Sequence, residues 1–462
     1  MRSYLKYLLL VFAVTFSFTV MAQSVQWRDQ HKVKRRETVF GIAKEYGISI
    51  QQLIDANPVM KQTGYELKKG DLIFVPFAKE GDFNPDGTVA TKDSRKVTAK
   101  ATDNNKVKPV NAIRVGVMLP LHNQDGDGKR MIEYYRGILL ALNQLKSEGI
   151  TTEVHAWNVP KGTDIRVTLT DKNAPNLDII FGPLYSDQVK PLADFCRNNN
   201  IKLVIPFSIT GNEVETNPNI FQVYQTEETL NNKAIACFLE RFQKSHHPVF
   251  INCNDVNSQV GAFTSSLRKQ LDLQKIKYDL TSTSSSSADF AKHFDASRPN
   301  VVVVNSEKSP QLNEVFAKLA QLKKARPGIA ISLYGYSQWF VYQDYDLDYF
   351  FKYNTYIPTT YYYNKAADKT KELEALYQEQ YNEPMAKQYI PRMAITGYDQ
   401  AEFFVRGLKQ HGKNFKGTAS EVKYKPLQTR YNFVRVGQGG YVNDNFQLVH
   451  FKTDQTMENL VY

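Results

Sequence analysis

Ile113-Arg114-Val115-Gly116-Val117-Met118-Leu119-Pro120-Leu121 carries one charge in nine residues. A strand with one wet face would alternate apolar and polar; a run this apolar belongs in a sheet covered on both sides. Residues 128–148 follow as a helix, with Ile132, Tyr135, Ile138, Leu139 and Leu145 on one face. Further strands are expected at 152–157, 177–181 and 201–205, with a helix over 189–198. Strand and helix alternate, which predicts an α/β fold with a parallel sheet. A second set follows: strands at 249–252, 301–304 and 329–334, helices through 263–271 and 312–322. Two α/β lobes in tandem are therefore expected.

The rest of the composition fits that picture. The chain has 462 residues, 42% hydrophobic and 23% charged, enough for two to four domains. Its 27 Tyr and 27 Phe argue against a disordered chain. The net charge is +11, of which +5 falls in residues 23–112. No dense basic stripe stands out, so nucleic acid is not expected as a partner. A mild basic excess near the N-terminus suits a polyanionic, wall-like surface.

Arg2 and Lys6 precede an apolar run from Leu8 to Val20, and Met21-Ala22-Gln23 follows. This is the layout of a signal peptide over residues 1–22, cut after Ala22. The run is shorter than the ~20 residues of a membrane-spanning helix. An exported, periplasmic protein without a stable membrane span is expected. Cys196, Cys237 and Cys253 sit among apolar neighbours and read as small buried hydrophobes. No His joins them at zinc or nucleophile spacing, and neither a metal nor another cofactor is expected.

Residues 25–78 form a unit of their own. The pattern predicts a strand over 33–40 running into a helix with Val39, Ile42, Ala43 and Tyr46 inward, ended by Gly47. Ser49 opens a second helix, and Asn57-Pro58 stops it. A turn at Lys69-Gly70 leads to a last strand, Leu72 to Val75, closed by Pro76. This βααβ order resembles the LysM domain, through Glu37-Thr38-Val39, Ile42-Ala43, Tyr46-Gly47-Ile48, Asn57-Pro58, Gly70 and Ile73 with Pro76. The resemblance implies binding of N-acetylglucosamine-containing glycan, hence peptidoglycan. It places the sugar between Glu37-Thr38-Val39-Phe40 and Asn57-Pro58-Val59-Met60. Taken singly, Thr38 and Asn57 also suit helix caps.

Residues 79–110 are rich in Lys, Asp, Thr and Asn without hydrophobic periodicity, and read as a flexible linker. From 111 to 462 the chain resembles a type I periplasmic binding protein of the leucine/isoleucine/valine-binding class. The stretches that carry this are Val115 to Leu121, Tyr135-Arg136-Gly137, Phe181-Gly182-Pro183 with Ser186, Ile205-Pro206-Phe207-Ser208, and Gly397-Tyr398-Asp399. The resemblance implies two doubly wound parallel sheets, hinge crossings between them, and a ligand in the interlobe cleft. It also implies that the helix bearing Gly397-Tyr398-Asp399 returns to the first lobe. Hydroxyl residues at Ser186, Ser208 and Thr210 match the family's ligand-carboxylate positions. Asn254, Asp255, Ser306 and Ser337 are candidates by strand-end position alone. Asp255 is the one nearby acid for an amino-acid ammonium. Ser186 and Ser208 serve equally well as helix caps.

Catalytic motifs are weak. Asn123-x-Asp125-x-Asp127-Gly128 begins like a calcium loop, but its twelfth position is Tyr134 instead of Glu. Ser266-Leu267-Arg268-Lys269 lacks the companion motifs of a Ser-x-x-Lys enzyme. His246-His247 reads as a solvated pair before a strand. The aromatics between Tyr334 and Tyr363 suit stacking on a ligand or, more simply, core and hinge packing. The sequence thus predicts a non-enzymatic, wall-associated protein that captures a small ligand, an amino acid or wall fragment. A regulator of cell-wall synthesis that meets a synthesis protein through the same fold is the alternative; a wall hydrolase is a more distant one.

Overall fold

The computed structural model describes residues 27–35, 37–61, 65–76, 112–207 and 211–462, with only the backbone at 27, 28, 30 and 58. The signal peptide expected at 1–22, the linker at 79–110, and Ser208 and Thr210 lie outside the described residues.

The N-terminal unit pairs β1 (Trp27–Lys32) with β2 (Leu72–Pro76) antiparallel around α1 (Val39–Glu45) and α2 (Ile50–Ala56). The first strand ends where the sequence had placed its start. Beyond it the Glu37 carboxylate takes the Lys34 amide, and Thr38 then caps α1. Ser49 and Gln52 form a reciprocal capping box at α2. Ile42, Ile48, Leu53, Ile73 and Val75 are buried together as the core of this small unit.

The remaining chain builds two seven-stranded sheets. The first holds β3 (Ile113–Leu119), β4 (Thr152–Asn158), β5 (Ile179–Phe181), β6 (Lys202–Ile205) and β7 (Ile220–Gln222) in the spatial order β4-β3-β5-β6-β7, all parallel. This is a doubly wound order. Alternate residues of β3 serve opposite faces. Val115, Val117 and Leu119 meet α3 (Gly126–Ser147), whereas Met118 joins the core beneath α5 (Val189–Asn198), which follows the single-turn α4 (Ile165–Thr168). Helix α3 starts two residues before its expected position, since Asp125 Oδ1 accepts the Gly128 amide at 2.8 Å and caps it. The calcium-like loop is thus a helix start.

The second sheet repeats the order, β9-β8-β10-β11-β12, from β8 (His247–Asn252), β9 (Asp279–Ser282), β10 (Asn300–Val304), β11 (Ile331–Tyr334) and β12 (Thr355–Thr359). Helices α6 (Glu227–Phe242), α7 (Gly261–Leu273), α8 (Ser287–Lys292), α9 (Ser309–Ala325) and α10 (Gln343–Lys352) accompany it. Most of the aromatic run after Tyr334 packs here: Tyr334, Trp339, Phe350 and Tyr353 are fully buried. His247 is not solvated; its Nε2 lies 2.9 Å from Asp279, whose other oxygen faces His293. Cys196 sits in the first lobe, Cys237 and Cys253 in the second, all buried and free.

After β12 the chain returns to the first lobe through α11 (Asp368–Tyr381) and α12 (Met393–His411), adds β13 (Phe433–Arg435) and β14 (Tyr441–Asn443) beside β7, and crosses once more to place β15 (Gln447–Phe451) and β16 (Met457–Val461) beside β12. The two lobes are therefore joined by three crossings, near 223–226, 360–363 and 444–446. Helix α12 lies directly on α3. A Cβ at Gly137 would sit 1.8 Å from the Ala394 carbonyl oxygen, and one at Gly397 would sit 2.0 Å from that of Tyr134. Among the described residues no helix is long and apolar enough to cross a membrane.

The small unit leans on the first lobe. Lys32 Nζ lies 2.8 Å from Glu383, and Glu383 also pairs with the buried Arg136, which stacks on Tyr381. Burial alone would raise the Glu383 pKa, but the hydrogen bonds from Lys32 and Arg136 prevail and hold it below the ordinary glutamate value. A depressed carboxyl pKa stabilises the pair above the ordinary value, and that stability is lost as pH falls through the folded-state value.

Two outcomes follow. Gly137→Ala and Gly397→Ala each force the helices apart and should lower unfolding stability by about 1–3 kcal/mol, read by urea denaturation. Acidification below the ordinary glutamate range should release the small unit from the lobe, read as a larger radius of gyration in X-ray scattering. Glu383→Gln should show that release already at neutral pH.

Candidate functional site

Two places bring the sequence candidates into view. The first is the N-terminal unit. Thr38 Oγ1 accepts the Gly41 amide at 3.0 Å, so its oxygen is engaged in capping α1. Glu37 is bound on both sides, by the Lys34 amide and by His31 Nε2 at 2.7 Å. Asn57 is 3% exposed; its amide donates to the Leu53 and Phe74 carbonyls and its oxygen accepts the Phe74 amide, all at 2.7 Å. It ties the end of α2 to β2. Among the described side chains of these two loops, the exposed large hydrophobic ones are Phe40, 55% exposed, and Val59, 49% exposed. Met60 is half-buried beside the core, its amide bonded to the Asn57 carbonyl. Val39 is also half-buried. An exposed aromatic and an exposed aliphatic side chain can take the apolar faces of sugar rings, with backbone groups left for their hydroxyl and acetamido groups.

The second place is the crossing region. A cavity of about 490 Å³ opens there, lined by Tyr224, Glu227, Asn231 and Gln259 together with Tyr336, Ser337 and Thr360. The crossings around it are laced. Gln225 Nε2 donates to the Asn445 carbonyl at 2.7 Å, Asn445 Nδ2 to the Thr360 carbonyl at 3.3 Å, and Lys233 Nζ reaches Asp444 at 2.5 Å. Of the sequence candidates, Ser337 lies on this cavity. Asp255 does not line it; its carboxylate takes Lys308 Nζ at 2.8 Å and the Ser306 hydroxyl at 2.7 Å. The Lys308 and Ser306 hydrogen bonds hold the Asp255 pKa below the ordinary aspartate value. Ser186 is exposed at the start of the turn leading into α5. Nearby, Asp127 pairs with Arg130 and accepts the Tyr185 hydroxyl at 3.2 Å.

Sequence reasoning missed Glu227, Asn231 and Gln259. Thr226-Glu227-Glu228 is a helix start, with Thr226 as its cap, and that signal was legible. What placed it at a hinge was not. Burial pushes the Cys237 and Cys253 thiols up to about 12, which leaves neither as a thiolate nucleophile at neutral pH.

Residues 31–76 match the model of the LysM domain. No curated protein matches the chain. Several solved structures are similar to it over 76% of its length. A putative branched-chain amino acid ABC transporter protein from Rhodospirillum rubrum is 13% identical, with a TM-score of 0.49 and all of that chain covered. The branched-chain amino acid transporter substrate-binding protein of Streptococcus pneumoniae, in complex with isoleucine, is 15% identical with a TM-score of 0.39, again fully covered. A leucine-bound substrate-binding protein from Desulfitobacterium hafniense is 14% identical with a TM-score of 0.37, likewise fully covered. The two-lobe assignment rests on the repeated strand order and the three crossings.

The Asn57 geometry sets one outcome. Asn57→Ala leaves the Phe74 amide without its partner inside the small unit, and should cost about 1–3 kcal/mol of its stability, read by thermal unfolding of the 25–78 fragment.

Proposed function

We propose that the chain is an exported, wall-attached binding protein. Its LysM domain holds N-acetylglucosamine-containing glycan, and its two-lobe part captures a small ligand at the hinge cavity without bond chemistry. The LysM match over 31–76 carries the first half, supported by the exposed Phe40 and Val59 on the two loops the sugar would use. The signal-peptide layout of residues 1–22 supports export. For the second half the supporting observation is the 490 Å³ cavity where the lobes exchange chain. Its size suits a metabolite or a wall fragment. Lobe closure over such a ligand would bend the three crossings.

Glu227 is the acid best placed to meet an ammonium group in that cavity, because Asp255 is already paired with Lys308. The alternative reading is a scaffold, in which the two lobes contact a cell-wall synthesis protein through the same fold.

Deleting residues 25–78 should abolish sedimentation with purified sacculi, and Phe40→Ala should weaken it at least tenfold without unfolding the domain. Retained sedimentation overturns the glycan half. For the cavity, free amino acids and soluble muropeptides should raise the melting temperature of the whole chain, because a ligand that binds only the folded state stabilises it. Glu227→Ala should remove that rise. No rise with any of them, together with capture of a wall synthase, overturns solute capture in favour of the scaffold.

A further inference from the structure

A second cavity shares no lining residue with the one at the hinge. It is a groove of about 890 Å³ on the outer side of the first lobe, between the C-terminal half of α3, α11 and α12, and closed by residues 423–427. Helix α3 begins at the carboxyl end of β3, where the lobes face one another, and the groove lies along its other half. Leu140, Leu373 and Leu427 form its apolar floor.

Its charges are unevenly placed. Glu402, 5% exposed, lines the groove. One of its oxygens accepts from Arg406 Nε at 2.5 Å, but the other, Oε1, is buried without a hydrogen-bond partner. Arg406 is shared, since its two terminal nitrogens hold Glu148 at 2.7 and 2.9 Å. A buried carboxylate oxygen left unmatched costs free energy unless a donor arrives. Around the rim stand the exposed Lys146, Lys369, Lys423 and Lys425. Counting all side chains that line the groove, basic groups exceed acidic ones by two.

An interior acid with an open acceptor and an outer ring of lysines call for a ligand with one ammonium and more than one carboxylate. We propose that this groove binds a short peptide bearing one free ammonium and at least two carboxylates, the chemistry of the stem peptides of peptidoglycan. The ammonium donates to Glu402 Oε1, the carboxylates meet the lysine rim, and the peptide's apolar side chains lie on the leucine floor. The choice of a wall-derived peptide rests on the wall-attached reading above; the charge pattern of the ligand does not. Burial raises the Glu402 pKa against the opposing hydrogen bond of Arg406.

The test uses the full chain and isothermal titration with a soluble stem tetrapeptide, N-acetyl-alanyl-γ-glutamyl-diaminopimelyl-alanine, whose one free ammonium is on the diaminopimelyl side chain. The tetrapeptide should bind, and acetylating that remaining amino group should weaken binding at least tenfold. Lys423→Glu with Lys425→Glu, both on the surface and tolerable for folding, should lower affinity at least tenfold. Glu402→Gln should do the same while Arg406 keeps Glu148. Sedimentation with glycan should be unchanged in both variants, which separates this groove from the LysM reading. The proposal is overturned if the tetrapeptide fails to bind, if the doubly acetylated peptide or inorganic phosphate binds as tightly, or if the lysine variant binds like the parent chain. Loss of glycan sedimentation in the LysM deletion with peptide binding intact leaves the groove standing by itself.

Discussion

The backbone contact between α3 and α12 organises the two-lobe part. Two glycines, Gly137 and Gly397, let the helices approach until carbonyl oxygens occupy the space where side chains would start. That contact holds α12, from far along the chain, in the first lobe. The chain must therefore leave the first lobe, build most of the second, and come back. The three crossings, and with them the hinge cavity, are consequences of this return. Asp399 secures it further: its buried carboxylate accepts the amides of Leu427, Gln428 and Thr429 at 2.8 Å, which fastens the segment after α12 to the helix.

Much of this architecture was readable from local patterns. The apolar run at 113–121 could only be a strand covered on both faces, and the 3.6-residue period after it marked α3. Gly397-Tyr398-Asp399 pointed to the returning helix through resemblance, and the structure supplies the reason in the glycine contact. The short strands escaped notice. Strands β7, β13 and β14 have three residues each and lack the continuous apolar run that marked the equally short β5. Their place is decided by neighbours in the sheet, which a linear pattern does not contain.

The sites were less legible for a related reason. A polar residue in the right loop has two possible employments, and sequence does not distinguish them. Asn57 was a candidate sugar contact and a candidate cap; in three dimensions its amide is spent on joining α2 to β2. Asp255 was a candidate for an ammonium, yet Lys308 and Ser306 occupy it. Both carry polar atoms that burial obliges to find partners nearby. The groove beside Glu402 went unseen because its walls come from four stretches of chain with no common motif.

The interrupted course of the first lobe also bears on how the protein is made. Strands β3 to β7 leave the ribosome early, but α12, which covers one face of their sheet, follows only after the entire stretch 227–359. Until then the apolar surface of Phe181 and Phe221, which Phe404 of α12 covers, lacks its lid. Nascent chains with such uncovered faces are prone to aggregate. A holding factor during synthesis would shield the early half until the late helix arrives to complete it.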